Sequence, residues 1–142
     1  MSRPRPSRAW HSATTWCTSC TDGGSISNCV VTGCSDPGGW GAGINSQNGT
    51  VSECVVEYAD GFLGAIYSNG GLVERCVLRN NTMTGHGGGI YCYNSSPTIS
   101  NCTISGNTAN DHGGGIYCDN SSPTISGCEI SGNTASTVGG GI

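Results

Sequence analysis

Titratable side chains that recur at one fixed spacing are the first candidates for chemistry in this chain. His86 and His112 are 26 residues apart, and Asp111 directly precedes the second histidine. Two stacked imidazoles beside a carboxylate could hold a metal ion or transfer a proton. The next position at this spacing is Val138, which offers no ligand. We therefore predict that the histidines are solvated loop residues and that the chain has no metal site.

The charged side chains favour ion pairing over catalysis. The chain has no lysine, and Arg75 and Arg79 each follow a glutamate by 22 residues. The two glutamates are Glu53 and Glu57. If this spacing is one turn of a coil, each arginine lies above its glutamate, and such a pair stabilises a sheet by about 0.2–1 kcal/mol. We predict a structural role for both arginines and no catalytic residue.

A recurring set of tyrosines is the best candidate for binding. Tyr67, Tyr91 and Tyr117 follow one another at steps of 24 and 26 residues. On the outside of a coil they would form a flat stripe, whose aromatic faces could contact sugar rings or a protein partner. The alternative is that the rings stack across turns and only stabilise the sheet.

Ten cysteines raise the question of thiol chemistry. Seven recur in two series, which are Cys29, Cys54, Cys76, Cys102 and Cys128, and then Cys92 and Cys118. We predict that these thiols are small buried hydrophobic groups that fill a narrow core. The alternatives concern the first four cysteines, which could form a zinc site or, in an exported chain, a disulfide. Those four are Cys17, Cys20, Cys29 and Cys34, with Cys17–Cys20 and Cys29–Cys34 as the disulfide pairs.

These spacings come from a repeat that covers most of the chain. The segment GGGIYCYNSSPTISNCTISGNTAN, residues 87–110, returns almost unchanged at 113–136, and a further copy begins at Gly139. Three apolar series keep similar steps: Ile26, Val51, Val73, Ile99, Ile125; Val31, Val56, Leu78, Ile104, Ile130; and Ile44, Ile66, Ile90, Ile116, Ile142. Repeats of this size stack one structural unit on the next, so that each copy buries the face that its neighbour exposes.

The local pattern within each repeat predicts strands. Runs such as Gly-Ile-Tyr-Cys and Cys-Thr-Ile-Ser alternate apolar with polar residues, and Gly, Asn, Ser and Pro lie between them. Gly-Gly-Gly would break a helix, which excludes helical repeats. We predict an all-β, right-handed parallel β-helix with three short strands per turn and about five turns of 22–26 residues. The repeats occupy residues 22–142, and residues 1–21 are an irregular segment or a partial cap. We expect the chain to be a fragment, truncated at its C-terminus.

The alternation also assigns the two faces of the strands. Five side chains of the fourth repeat are predicted to point inward: Ile90, Cys92, Ile99, Cys102 and Ile104. Four others are predicted to point outward: Tyr91, Ser100, Thr103 and Ser105. Asn107 and Asn133 recur where the third strand of a turn ends, and we predict that their amides form a buried hydrogen-bonded ladder.

Two elements of the repeat carry a resemblance to a known family. Gly-Gly-Gly-Ile at 87–90 and Ile-Ser-Gly-Asn-Thr-Ala at 104–109 recur at 113–116 and 130–135. Together they resemble the polymorphic outer-membrane protein repeat, with Ile104 in place of that family's Phe and Gly in place of its Ala. More broadly, the chain resembles right-handed β-helix (pectate-lyase-like) domains of bacterial surface proteins. The resemblance implies a secreted or cell-surface, outer-membrane passenger with an adhesive role.

The composition of the chain limits the classes of partner that it can bind. With a net charge of −4 and five basic residues, the chain cannot neutralise many phosphates, so we predict no nucleic-acid partner. No apolar run approaches the roughly 18 residues of a membrane span, and no motif predicts a cofactor.

The favoured function is a non-catalytic, exported adhesive or structural stalk that presents a binding face to a glycan or a protein. The alternative is a carbohydrate-active β-helix, a lyase or a hydrolase. Its site would lie outside this segment or around Asp60, Asp111 and His112.

Overall fold

The computed structural model describes the backbone of residues 18–20 and all of residues 23–142. The first turn contains β1 (Thr18–Cys20), β2 (Ser25–Ser27), β3 (Val30–Thr32) and β4 (Ser35–Trp40). The second contains β5 (Ile44–Gln47), β6 (Thr50–Ser52), β7 (Val55–Glu57) and β8 (Asp60–Leu63). The third contains β9 (Ile66–Asn69), β10 (Leu72–Glu74), β11 (Val77–Arg79) and β12 (Thr82–Met83). The fourth contains β13 (Ile90–Tyr93), β14 (Thr98–Ser100), β15 (Thr103–Ser105) and β16 (Thr108–Ala109). The fifth contains β17 (Ile116–Asp119), β18 (Thr124–Ser126), β19 (Glu129–Ser131) and β20 (Thr134–Ala135).

Equivalent strands of successive turns pair in parallel and form four five-stranded sheets. We name them sheet A (β1, β5, β9, β13, β17), sheet B (β2, β6, β10, β14, β18), sheet C (β3, β7, β11, β15, β19) and sheet D (β4, β8, β12, β16, β20). The predicted all-β parallel coil is therefore confirmed. The predicted three strands per turn are wrong, because sheet D adds a fourth. Its strands shrink to two residues in the later turns, which is too short for alternation to show in the sequence.

The start of the coil lies earlier than the sequence predicts. β1 pairs in parallel with β5 and lies within the segment 1–21 that is predicted to be irregular or a partial cap. The coil therefore includes Thr18, ahead of the predicted boundary at residue 22. The rest of the predicted irregular segment or partial cap, including Cys17, lies outside the described residues. Within the described part of the chain, no helix is long and apolar enough to cross a membrane.

Successive turns align residue for residue, as the apolar series predict. In sheet B, Val73 pairs with Val51 on one side and Ile99 on the other. In sheet C, Leu78 lies between Val56 and Ile104 in the same way. The members of these series up to Ile116 are fully or almost fully buried, and Ile125 and Ile130 of the last turn pack against the same core. The inward and outward faces are therefore confirmed, with Tyr91 as an outward residue that solvent does not reach.

A ladder of asparagine side chains runs beside the apolar core. Asn107 Nδ2 donates to Leu78 O at 3.0 Å and to Asn133 Oδ1 at 2.9 Å, and Asn107 Oδ1 accepts from Asn81 Nδ2 at 2.9 Å. The Asn107 backbone N–H also donates to Asn133 Oδ1. The predicted ladder is confirmed and extends one turn further, to Asn81. Asn107 satisfies both amide donors and its acceptor inside the core, which offsets the cost of burying the polar group.

The corners between sheets C and D require a left-handed backbone. Positive φ values recur there at Gly33, Tyr58, Asn80, Gly106 and Gly132. Gly and Asn tolerate this conformation, whereas a residue with a bulky side chain is strained in it. Tyr58 adopts φ 54° and is 61% exposed. Burial of its ring therefore does not compensate for the strain of its backbone.

We predict that Tyr58→Asn stabilises the protein by about 0.5–1 kcal/mol, because asparagine adopts the left-handed conformation at lower cost. The free energy of unfolding, measured by urea denaturation, checks this. Tyr58→Ala is the control, since it removes the exposed ring without relieving the backbone. Equal stability of the wild type and Tyr58→Asn would contradict the assignment of strain to this corner.

Candidate functional site

The outer face of sheet A carries the tyrosine column that the sequence predicts. Tyr91 pairs in register with Tyr67 below it and Tyr117 above it. The ring centroids lie 5.7 Å apart for Tyr67 and Tyr91 and 5.5 Å apart for Tyr91 and Tyr117, in stacked orientations. Backbone register therefore holds three phenol rings in one stack along the coil axis.

The prediction that these rings form an open stripe is wrong for two of them. Tyr67 is only 2% exposed and Tyr91 only 5% exposed. Each ring covers its neighbour, and together with Leu63 they form a small apolar cluster outside the coil, against which Tyr93 and Tyr117 pack. The stack is thus the buried base of a surface, and the exposed side chains of this surface lie around the stack.

The rings of Trp40 and Tyr93 lie over this buried stack and are accessible to solvent. Trp40, the last residue of β4, is 52% exposed and its ring lies 5.3 Å from that of Tyr67 and 6.0 Å from that of Tyr93. Tyr93 also stacks against Tyr91 at 6.4 Å. We name the set Trp40, Leu63, Tyr67, Tyr91, Tyr93 and Tyr117 the aromatic surface. The sequence did not point to Trp40 or Tyr93, because neither recurs in neighbouring repeats.

Polar groups border the aromatic surface. The Tyr91 hydroxyl donates to Asp119 Oδ2 at 2.8 Å. Burial, together with this hydrogen bond to a carboxylate, raises the pKa of Tyr91. Asn45 Nδ2 donates to Trp40 O at 3.1 Å, while Asn45 Oδ1 is buried without a partner in the described part of the chain. The Asp119 carboxylate at this border can accept a further hydrogen bond from a ligand, whereas the buried Asn45 Oδ1 is not accessible to one.

His86 and His112 lie before β13 and β17, outside the named strands, and are partly exposed, as predicted, and they also pack against the aromatic surface. The His86 ring stacks on Tyr117 at 4.7 Å, and the two Nδ1 atoms of the histidines lie 3.3 Å apart. Asp111 Oδ2 lies 4.0 Å from His86 Nε2. The two imidazoles are therefore within hydrogen-bonding distance of each other through their Nδ1 nitrogens. Across the described residues, no group of three or more His, Cys, Asp or Glu side chains is arranged to hold a metal ion.

The predicted ion pairs form as the spacing indicates. Arg75 Nη2 lies 3.2 Å from Glu53 Oε1, and Arg79 Nε lies 2.7 Å from Glu57 Oε2. Arg75 also contacts Glu74 at 3.1 Å. Both arginines are half-exposed and neutralised by adjacent glutamates, so each contributes about 1 kcal/mol or less to stability.

The carboxylates proposed for the enzymatic alternative do not converge. Asp60 lies at the start of β8 in sheet D and accepts a hydrogen bond from Ser35 Oγ at 2.8 Å. Asp111 follows the sheet D strand two turns later and lies near His86. The structure thus brings Asp111 to the histidine pair and leaves Asp60 in another turn.

The long cysteine series forms one file in the core, as predicted. Cys54 Sγ donates to Ser52 O at 3.2 Å and approaches Ile26 O at 3.7 Å. The same two contacts recur one turn up at Cys76, with Glu74 O at 3.3 Å and Val51 O at 3.6 Å. These thiols act as small core groups that also satisfy backbone carbonyls. The zinc-site and Cys17–Cys20 alternatives rest on side chains outside the described residues, and a Cys29–Cys34 disulfide stays a prediction.

A family model described as a right handed beta helix region matches residues 11–142. The chain belongs to this family. The match covers nearly the whole chain and includes all four sheets, so the right-handed parallel β-helix predicted from the repeat is confirmed. Searches of curated proteins and of solved structures returned no match.

The hydrogen bond between Tyr91 and Asp119 gives a direct test of the site geometry. We predict that Tyr91→Phe lowers the free energy of unfolding by about 1–2 kcal/mol, because it removes a hydrogen bond to a charged group and keeps the stacked ring. Tyr67→Phe is the matched control, since the Tyr67 hydroxyl donates to no group in the described residues. Thermal or urea unfolding measures both, and equal losses would refute the assigned role of Asp119.

Proposed function

We propose that the chain is a non-catalytic, exported β-helix segment whose aromatic surface binds a neutral glycan. The observation that carries the proposal is the placement of two accessible rings, Trp40 and Tyr93, over the buried Tyr67–Tyr91 stack. The buried rings fix the accessible ones on a rigid sheet, so little side-chain entropy is lost when a ligand binds.

The chemistry beside these rings suits a sugar. A sugar ring has an apolar face that packs on an aromatic ring and hydroxyl groups that donate hydrogen bonds. The Asp119 carboxylate supplies a hydrogen-bond acceptor at the border of the surface. A flat apolar protein partner would cover the Asp119 carboxylate without donating to it, at a cost of about 1–3 kcal/mol.

Charge favours a neutral glycan over an acidic one. The carboxylates at the aromatic surface are Asp111 and Asp119. The two arginines of the coil lie on strand β11 and the corner before it, where each already pairs with glutamate. An anionic polysaccharide at the aromatic surface would meet repulsion from the aspartates and no compensating cation.

The proposal that the segment is non-catalytic rests on the arrangement of its acids. Glycoside hydrolysis uses two carboxylates at opposite sides of the scissile bond. Here Asp119 is engaged by Tyr91, Asp60 by Ser35, and Asp111 lies beside the histidine pair. No two of them face one another across the aromatic surface in the described contacts.

We infer the cellular location of the protein from the resemblance of its repeat to a known family. The repeat elements at 87–90 and 104–109 are similar to those of the polymorphic outer-membrane protein repeat, a family of surface-displayed passengers. The Ser- and Thr-rich outer faces of sheets B and D suit a stalk in contact with water. Both features support export to the cell surface.

Binding to an array of neutral oligosaccharides, followed by calorimetric titration of the best ligand, tests the proposal. We predict that Trp40→Ala and Tyr93→Ala each weaken binding roughly three- to tenfold, because each removes one stacking contact. Tyr58→Ala is the control, since Tyr58 is an exposed aromatic residue on a corner away from the aromatic surface. It should bind as the wild type does.

Two results would contradict the proposal. One is a folded wild-type protein that binds no neutral glycan, or whose binding is unchanged by Trp40→Ala. The other is turnover of a polysaccharide such as pectin or alginate that Asp111→Ala abolishes, which would support the enzymatic alternative. Circular dichroism of every variant confirms that the coil is intact.

A further inference from the structure

A pair of imidazoles lies beside Tyr117 of the aromatic surface, in the loops that precede β13 and β17. The backbone aligns His112 with His86 of the preceding turn, and Gly87 N–H donates to His112 O at 3.0 Å. The two Nδ1 atoms lie 3.3 Å apart, whereas the two ring centroids lie 5.1 Å apart. The rings therefore lean together at their Nδ1 edges, and both nitrogens face the same space.

Neighbouring side chains hold the two rings in place. His86 stacks on Tyr117 at 4.7 Å, and the ring of His112 lies 5.9 Å from the same tyrosine. Asp111 Oδ2 lies 4.0 Å from His86 Nε2. The carboxylate favours the tautomer of His86 that carries its proton on Nε2, as carboxylates beside metal-bound histidines do, and Nδ1 then keeps its lone pair. Both histidines are partly exposed, so an ion can reach them from solvent.

We propose that His86 Nδ1 and His112 Nδ1 together chelate one divalent metal ion of the Zn(II) class. Imidazole nitrogens suit such ions. A tetrahedral ion with metal–nitrogen bonds of about 2.0–2.1 Å holds two of its nitrogen ligands about 3.3–3.4 Å apart. The observed separation of 3.3 Å lies in this range. A square-planar ion with bonds of the same length would hold adjacent nitrogens about 2.8–3.0 Å apart, so the geometry favours Zn(II) over planar Cu(II).

The two imidazoles leave two positions of a tetrahedral ion open. The histidine column ends at Val138, which is in register with His112 and offers no ligand. No third His, Cys, Asp or Glu side chain completes a metal-binding group in the described residues. Water therefore fills the open positions, and the ion exchanges with solvent, unlike zinc in a closed structural site. The sequence predicts no metal site because the column stops at two histidines, but two converging nitrogens are sufficient for chelation.

The charges and protons around the pair are compatible with a bound cation. The Asp111 carboxylate beside His86 offsets one of the two positive charges of the ion. A hydrogen bond between the two Nδ1 atoms requires a proton on one of them, and the tautomer of His86 assigns that proton to His112. When the ion binds, this proton leaves Nδ1 for water, and water supplies one to Nε2 of the same ring. Both imidazoles therefore stay neutral.

Calorimetric titration of the reduced protein with Zn(II) tests the site. We expect His86→Gln and His112→Gln each to weaken binding of one ion by about tenfold or more, because a second ligand held in place binds as an intramolecular group. Zinc bound by thiols elsewhere in the chain is retained by both variants and cancels in the comparison. Asp60→Asn is the control, since it removes a carboxylate of sheet D that pairs with Ser35. Circular dichroism confirms that each variant is folded.

A relocated imidazole distinguishes chelation from the general effect of losing a histidine. Val138 is in register with His112 and 58% exposed, so a histidine at this position can be accommodated. We expect His86→Gln/Val138→His to regain the ion that His86→Gln loses, because the new pair repeats the original pair one turn along the coil. The matched variant His86→Gln/Val138→Gln should regain nothing.

Nitrogen-15 NMR spectra of the imidazoles provide a second readout. Zn(II) should shift the Nδ1 resonances of both His86 and His112 and leave the ring protons on Nε2. Three results would overturn the proposal: a wild type that binds no more Zn(II) than the two single histidine variants, a shift confined to one ring, or a His86→Gln/Val138→His variant that regains no ion.

Discussion

The constraint on which this structure depends is the residue-for-residue alignment of successive turns. Parallel backbone hydrogen bonds between equivalent strands fix each side chain against its counterpart about 4.8 Å away. Once the turns align, Val73 must touch Val51 and Ile99, and Asn107 must touch Asn81 and Asn133. Stability is then approximately a sum of similar interfaces, so a narrow core of small residues is sufficient.

The same alignment builds the proposed binding surface. On the outer side of sheet A it stacks Tyr67, Tyr91 and Tyr117 into a rigid base, on which Trp40 and Tyr93 remain accessible. On the inner side of the same sheet it sets Cys118 directly above Cys92. A scaffold that repeats positions along an axis turns any chemically useful side chain that recurs into a paired or stacked group.

Much of the fold was predictable from the sequence because the repeat encodes it. The apolar and cysteine series, the ion pairs of Arg75 and Arg79, and the amide ladder all follow from spacing alone. Spacing also placed the tyrosine column, but it could not reveal that stacking and Leu63 would bury Tyr67 and Tyr91. Trp40 and Tyr93 were missed because each occurs once. Sheet D was missed because its strands in the later turns have only two residues, which is too short for a periodic pattern. Features that recur can be read from a single sequence, whereas features that occur once depend on the packing around them.

Nuclear Overhauser contacts between methyl groups test the alignment of the turns most directly. In a protein with isotopically labelled isoleucine methyl groups, the account predicts contacts from Ile90 to both Ile66 and Ile116, which are 24 and 26 residues away in the chain. Contacts from Ile90 that skip these residues, or that join it to residues shifted by one position, would contradict the aligned coil and with it the aromatic surface.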